Sequence, residues 1–188
     1  EKTFTPELCS LLSKSGCIAV TGGLEVASDR LLAKMKKGVD IAQVARVTKA
    51  FSNENIMVHA YLMFGFPTET AQETIDSLEV VRQLFQHNCI QSAFWHQFAC
   101  TSHSPVGKNP DEFQIKITGP KFEGFAENDL YHEDPTGAEH HLYSEGLNSA
   151  LNKYLNYKGF DIPLHKYFDF KVPSTTQGIG LIKSYLKA

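Results

Sequence analysis

Hydrophobic positions along the chain follow two kinds of pattern. Some segments carry apolar residues at helical spacing behind a capping residue, and others are short, nearly continuous apolar runs typical of strands in a parallel sheet. The predicted helices span residues 5–15, 28–38, 40–51 and 70–87. The predicted strands span residues 17–20, 56–64 and 90–98, and the first two are expected to be buried on both faces. Three β-α units with parallel strands and right-handed crossovers follow from this order.

The pattern changes after Pro105, where Gly, Pro and charged residues become frequent. A short strand-like piece at residues 113–117 and helices at 137–157 and 176–186 are predicted there. We therefore expect an α/β domain over residues 1–110 and a small α+β accessory extension over 111–188. An open doubly wound sheet and part of a barrel both fit the first domain.

Composition narrows the class of protein. With 188 residues and 42% hydrophobic content, the chain can bury a real core. Lys and Arg total 18 against 21 Asp and Glu, without a long run of either sign, so nucleic acid is not expected as a partner. The sequence has no apolar stretch of about 20 residues and no signal-like start, which predicts no membrane span and a cytoplasmic protein.

The cysteines and histidines give no familiar metal motif. Cys9, Cys17, Cys89 and Cys100 are too far apart for a C-x-x-C site, and each is expected to be a small buried residue. The pair His140-His141 lacks H-E-x-x-H spacing, so we interpret it as a solvated helix face. P-loop, G-x-S-x-G and G-x-G-x-x-G motifs are also absent.

Ligands of parallel α/β folds bind where loops leave the carboxyl ends of the strands. Glu25 follows the Gly22-Gly23 pair at such an end, so its carboxylate can accept hydrogen bonds from an amine or a ribose. A surface glutamate near a helix start is the alternative. His96 and His103 lie at or after the end of the third strand and are candidates for contact with substrate, as is the segment 131–134. His59, inside the second strand, is expected to be a hydrogen-bonded core histidine.

Two sequence segments together resemble a known family. Residues 23–38 read GLEVASDRLLAKMKKG, and residues 63–70, about thirty positions later, read MFGFPTET. In this order and spacing they resemble the second half of radical S-adenosylmethionine (SAM) enzymes, most closely the iron-sulfur oxidoreductases often fused to a cobalamin-binding domain. The resemblance covers roughly residues 5–110 and implies the fourth to sixth strands of a partial (β/α)6 TIM-like barrel.

The resemblance also implies roles for individual residues. Glu25, above Gly23, would bind the amino or ribose group of SAM with Ser28 beside it, and Lys37 would meet the SAM carboxylate. Phe66 and Pro67 would line the adenine side. The family's C-x-x-x-C-x-x-C motif, whose thiolates hold a [4Fe-4S] cluster, does not occur in this sequence and is expected upstream of Glu1.

The implied activity belongs to the full-length enzyme. It would reductively cleave SAM to methionine and a 5′-deoxyadenosyl radical, which abstracts hydrogen from an unknown, small-molecule substrate; the use of cobalamin stays open. The chain alone is expected to be inactive and to hold no cofactor stably. Its open strand edges predict self-association.

Two other classes of function stay open on the sequence. The first is a non-catalytic α/β binding module whose loop residues only cap helices. The second is a different (β/α) barrel enzyme, aldolase-like or a metal-dependent hydrolase, that uses Glu25, His59 and His96. Against the second, no lysine lies within a predicted strand and no three-ligand metal set is visible.

Overall fold

A computed structural model describes residues 3–122 and 127–187 of the chain. Its first part alternates helices and strands in the predicted order, and these elements are α1 Pro6–Lys14, β1 Ala19–Glu25, α2 Asp29–Lys34, α3 Ile41–Asn53, β2 Met57–Phe64, α4 Ala71–Gln86 and β3 Ser92–Gln97. Helix starts are fixed by side-chain caps, in which an oxygen accepts a hydrogen bond from a backbone N–H of the first turn. The capping residues are Thr5, Ser28, Asp40 and Thr70.

The three strands form one parallel sheet in the order β1-β2-β3. Thr21 pairs with His59, and His59 pairs with Ser92, so the three strands stay in register across the sheet. The predicted α/β class with three parallel units is confirmed. The described sheet does not close into a barrel and corresponds to part of a TIM-like fold.

Helices cover only one face of this sheet in the described part of the chain. Alternate residues of β2, from Val58 to Phe64, enter a core built with residues of α3, α4 and the C-terminal helices. The opposite positions are open, and Met57 and Tyr61 are 56% and 47% exposed. The prediction that the first two strands are buried on both faces is therefore wrong, because nothing among the described residues covers the second face.

The remaining elements lie around the carboxyl end of the sheet and, at the end of the chain, against the helices that cover the sheet. They are β4 Cys100–Thr101, α5 Pro105–Lys108, β5 Lys116–Gly119, β6 Asp129–Glu133, α6 Ser144–Tyr154 and α7 Leu181–Tyr185. Strands β4, β6 and β5 form an antiparallel sheet in that order. The predicted helix over 137–157 is a 3₁₀ turn at His140–Tyr143 followed by α6, and the predicted helix over 176–186 is confined to α7.

Two hydrophobic clusters result. The larger one lies between the parallel sheet and its helices, and α6 and α7 contribute Leu147, Tyr154 and Ile182 to it. The smaller one joins the β1 and β2 loops to α5 and the antiparallel sheet, through residues such as Val26, Phe66 and Val106. The C-terminal part thus shares its packing with the parallel sheet, and the domain boundary near residue 110 stays a prediction.

The cysteine prediction is right for three residues and wrong for one. Cys9, Cys89 and Cys100 are buried, whereas Cys17 is only partly buried in the turn before β1. All four are free thiols. Burial raises the pKa of Cys89 to about 11, so this thiol stays protonated and unreactive near neutral pH. Within the described residues, no helix is both long and apolar enough to cross a bilayer.

Candidate functional site

Glu25 lies at an irregular end of β1. The pairing with β2 shifts between Gly23 and Glu25, and Glu25 has a φ of 60°, a left-handed conformation that is uncommon for a residue with a side chain. Such strain is tolerated where the surrounding structure enforces it, often at functional sites. The carboxylate accepts a hydrogen bond from Lys37 Nζ at 2.6 Å.

Gly23 makes this arrangement possible. A β-carbon at position 23 would collide with Oε1 of Glu25, so with any other residue there the carboxylate would have to shift from its place over the strand. Gly23, Glu25 and Lys37, all predicted from sequence, therefore meet in one place. The side chains of Glu25 and Lys37 are 17% and 38% exposed, so the pair can reach a ligand. The neighbouring Lys36 instead pairs with Glu112 on the surface.

Ser28 belongs to a second polar cluster. Its hydroxyl caps α2 and donates a hydrogen bond to Glu73 at 3.1 Å. Arg30 binds both carboxylate oxygens of Glu73 at 2.7 Å and also donates to the carbonyl of Thr68. Burial alone would raise the pKa of Glu73, but its hydrogen bonds to Arg30 and Thr70 lower it to about 2. This cluster ties α2 to the start of α4.

The loop between β2 and α4 is built around the buried carboxylate of Glu69. That carboxylate accepts hydrogen bonds from the backbone N–H groups of Gly65 at 2.7 Å and Phe66 at 3.1 Å, and from the Thr74 hydroxyl at 2.9 Å. Burial outweighs these three donors and raises the pKa of Glu69 to about 7. Glu69 was not predicted as a site residue, although its position after Gly65-Phe66-Pro67 and just before a helix was a signal in the sequence.

Phe66 and Pro67 are both buried in this loop. The Phe66 ring packs edge-to-face against Phe98 and Phe113, with ring centroids 5.3 and 5.9 Å apart. The two residues predicted to line the adenine side thus support the loop from within.

The segment after β6 holds the same loop from the other side. Asp134 accepts a hydrogen bond from the backbone N–H of Thr68 at 2.7 Å, and the N–H of Ala138 donates to the carbonyl of Glu69 at 3.1 Å. His140 is buried beside Gly65, so its prediction as part of a solvated face is wrong. The reason is that residues 140–143 form a tight 3₁₀ turn that directs His140 toward the loop. Neither ring nitrogen of His140 has a hydrogen-bond partner in the described part of the chain.

The other predicted histidines lie at different places. His96 is on β3, opposite Met63 of β2, and His103 lies in the turn between β4 and α5. His59 is partly buried and its Nδ1 lies 2.8 Å from the Ser92 hydroxyl, so it is hydrogen-bonded as predicted but faces the open side of the sheet.

A cavity of about 510 Å³ lies between β1 and α3. Gly23 and Lys37 line it together with apolar side chains, among them Val20, Val47 and Phe51. Its volume is within the range of about 300–1,000 Å³ common for small-molecule sites.

An iron-sulfur cluster does not fit the cysteines of this chain. Cys9, Cys89 and Cys100 are buried in separate parts of the fold, and the residues that the structure describes contain no group of His, Cys, Asp and Glu able to hold a metal ion. The candidate site in the described residues therefore consists of an ion pair, a fixed loop and an open sheet face.

The class that these features define is a β/α enzyme fold with polar groups at the carboxyl ends of parallel strands. Residues 2–81 match the family model of the Radical SAM superfamily. The full-length enzymes of that superfamily use SAM and a [4Fe-4S] cluster. No curated protein matches the chain.

Proposed function

We propose that this chain supplies the SAM-holding part of a radical SAM iron-sulfur oxidoreductase. The observation that supports the proposal most is the ion pair of Glu25 and Lys37 above Gly23, at the carboxyl end of β1. It lies inside the segment that matches the family.

The ion pair suits the amino-acid end of SAM, which carries an ammonium and a carboxylate. Glu25 accepts hydrogen bonds from the ammonium, and Lys37 donates to the carboxylate. The two side chains already neutralise each other at 2.6 Å, so binding exchanges one ion pair for two. A hydrogen bond to a charged group contributes about 1.5–3 kcal/mol, which corresponds to roughly ten- to a hundredfold in affinity.

The loop of residues 65–70 forms the wall on the adenine side. Glu69 and Asp134 fix its backbone from opposite sides, and Arg30 fixes the carbonyl of Thr68. A wall held from three elements needs little reorganisation when a ligand arrives, which favours binding. Phe66 and Pro67 act here by keeping the loop in place.

When it is bound and reduced by a cluster, SAM supplies the radical that removes a hydrogen atom from a substrate. The chain's own residues bind and orient the amino-acid end and keep water from the strand ends. The cluster thiolates have to come from outside the described residues, because the cysteines in them do not fit a cluster. Four free thiols suit a reducing compartment, so we place the enzyme in the cytoplasm.

A non-catalytic binding module is the second candidate. The apolar cavity of about 510 Å³ between β1 and α3 favours it, since an apolar ligand would need no cluster. The third possibility, a metal-dependent barrel enzyme, has less support because the described residues offer no metal site.

Equilibrium binding of SAM to the protein produced from its whole open reading frame tests the proposal. Glu25→Gln and Lys37→Met are each expected to weaken binding by ten- to a hundredfold. Lys36→Met, which removes a neighbouring cation paired with Glu112, is the matched control and should leave the affinity unchanged. Equal affinities for all three variants would refute the assignment.

A further inference from the structure

His140 is a buried titratable side chain at the carboxyl end of the sheet. It is 9% exposed, and neither ring nitrogen has a hydrogen-bond partner within the described residues. A β-carbon at Gly65 would lie 3.1 Å from Cβ and 3.2 Å from Cγ of His140, so this side chain packs against the start of the loop 65–70. Gln97 of β3 borders the same glycine and brings no charge. Most buried polar side chains are hydrogen-bonded, so the unpaired imidazole is unusual.

The Asp134 carboxylate lies near both this histidine and the loop. Its Oδ2 accepts the hydrogen bond from the backbone N–H of Thr68 at 2.7 Å. The same Oδ2 and Nε2 of His140 border one point, since a β-carbon added to Gly137 would contact both atoms. One carboxylate oxygen therefore holds the loop and lies close to the imidazole.

The charges around His140 determine which form of the ring the fold favours. Burial lowers the pKa of His140 from its ordinary value of 6.5, and nearby His132 and His141 lower it further. Asp134 acts in the opposite direction. Glu69, in the loop itself, has a pKa of about 7 and is mostly uncharged at the pH where His140 gains a proton. Asp134 is then the negatively charged group available to the imidazolium.

Protonation of His140 changes the balance at Asp134. A buried cation without a counter-ion is costly, so the imidazolium has to pair with Asp134 or leave the core. The imidazolium brings a full positive charge that a backbone N–H lacks, so pairing draws Oδ2 away from Thr68. Departure of the ring would displace its 3₁₀ turn and the adjoining Ala138, whose N–H donates to a carbonyl of the loop at 3.1 Å. Both responses loosen the loop.

We propose that His140 is a positioning residue that holds the loop 65–70 when neutral and releases it when protonated, by competing with Thr68 for the Asp134 carboxylate. Because the fold favours the neutral ring, the loop is held above pH 6.5 and its release begins as the pH falls below this value. The inference rests on the proposed function in one respect: release of the loop, as the wall on the adenine side, weakens SAM binding in acid. Opening of the loop itself needs neither SAM nor a cluster.

Amide hydrogen exchange tests the inference on the chain without SAM. It is followed by NMR between about pH 5.5 and 7.5 and corrected for the intrinsic exchange rate. Protection of the Thr68 and Ala138 N–H groups is expected to fall at least threefold from about pH 7 to pH 5.5, since opening takes up one proton. Protection of Gln91, whose N–H donates to the carbonyl of Val58 at the amino end of the sheet, should change less than twofold.

Two variants assign the effect to His140. His140→Phe keeps a ring and removes the titrating group. Because neither nitrogen of the wild-type ring is paired in the described part of the chain, this variant should be at least as stable as wild type at neutral pH and should abolish the pH dependence at Thr68. His141→Asn, at the exposed neighbouring histidine, is the matched control and should retain the pH dependence.

Three outcomes would overturn the inference. They are a Thr68 protection that does not fall in acid, an equal fall at Thr68 and Gln91, which indicates global unfolding and needs only the wild-type chain, and a pH dependence that persists in His140→Phe. Glu25→Gln separates this inference from the proposed function, because it should weaken SAM binding and leave the protection of Thr68 unchanged. A protein that binds no SAM at any pH would refute the proposed function and leave the exchange result as it is.

Discussion

Removal of the Glu69 carboxylate is expected to destabilise the whole domain. Glu69→Ala leaves two backbone N–H groups, of Gly65 and Phe66, and the Thr74 hydroxyl without this acceptor, and Glu69 is fully buried so that water cannot replace it. An unpaired buried donor costs about 1–3 kcal/mol, and the Thr74 hydroxyl can still donate to the carbonyl of Thr70, so the two unpaired N–H groups cost roughly 2–6 kcal/mol. Domains of this size have a total stability of only about 5–15 kcal/mol.

Urea denaturation followed by circular dichroism measures this loss. Glu69→Gln is the matched control, because it keeps an acceptor oxygen of the same reach toward Gly65 and Phe66 and should lose less than half as much as Glu69→Ala. A free energy of unfolding for Glu69→Ala within about 1 kcal/mol of wild type would refute the role assigned to this carboxylate.

The same residue predicts a pH dependence. The pKa of Glu69 is raised by burial from 4.5 to about 7 in the folded state. Stability from its protonated form is therefore complete below pH 4.5 and is lost as the pH rises through 7, by up to about 3 kcal/mol. Burial lowers the pKa of His140, which acts in the opposite direction over part of this range. The difference between wild type and Glu69→Gln isolates Glu69, and an identical pH profile for both would contradict the prediction.

Three further predictions concern the ion pairs and the sheet edges. Arg30→Ala should lower the free energy of unfolding, measured in urea, by about 1 kcal/mol because it removes a partly exposed bidentate pair with Glu73. Lys36→Ala removes a more exposed pair and should change that free energy by less than about 0.5 kcal/mol; equal effects of the two substitutions would contradict this prediction. Gly23→Ala should displace the Glu25 carboxylate and weaken SAM binding at least tenfold with little change in far-UV circular dichroism. Unchanged binding would argue against a role for the carboxylate position over Gly23. Strands β1 and β3 each have one neighbour in the described sheet, so the chain should self-associate, which a monomeric mass in light scattering at all concentrations would contradict.

Local signals account for the elements that were predicted well. Thr70 accepts a hydrogen bond from the backbone N–H of Glu73, and the Glu73 side chain accepts one from the N–H of Thr70. This capping box involves only four consecutive residues of the sequence. The caps of α1, α2 and α3 are equally local. Such helix starts depend little on the rest of the fold, so periodicity and capping residues were sufficient.

Features that depend on distant partners were missed. The antiparallel sheet pairs Cys100 with Leu130, thirty residues apart, and strands this short carry no pattern of their own. The packing of α3, α4 and α6 determines which face of β2 is covered. Because β2 has apolar residues on both faces, its sequence does not indicate which face that is. The same limit applies to His140, whose burial results from the contact of its turn with Gly65.

The candidate site was predicted in part for the same reason. Gly23, Glu25 and Lys37 lie within fifteen residues of one another, and their motif could be recognised in the sequence. The support of the loop by Asp134 spans sixty-six positions and required the folded chain. The burial of Phe66 likewise follows from Phe98 and Phe113, which lie far along the sequence.

Cleavage of SAM tests the central claim most directly. The protein produced from its whole open reading frame, reconstituted without oxygen with iron and sulfide and supplied with a reductant, should form 5′-deoxyadenosine and methionine, and Glu25→Gln should lower the rate at least tenfold. A reconstituted protein that forms no 5′-deoxyadenosine, or one in which Glu25→Gln is as active as wild type, would contradict the claim that this chain holds SAM for a radical reaction.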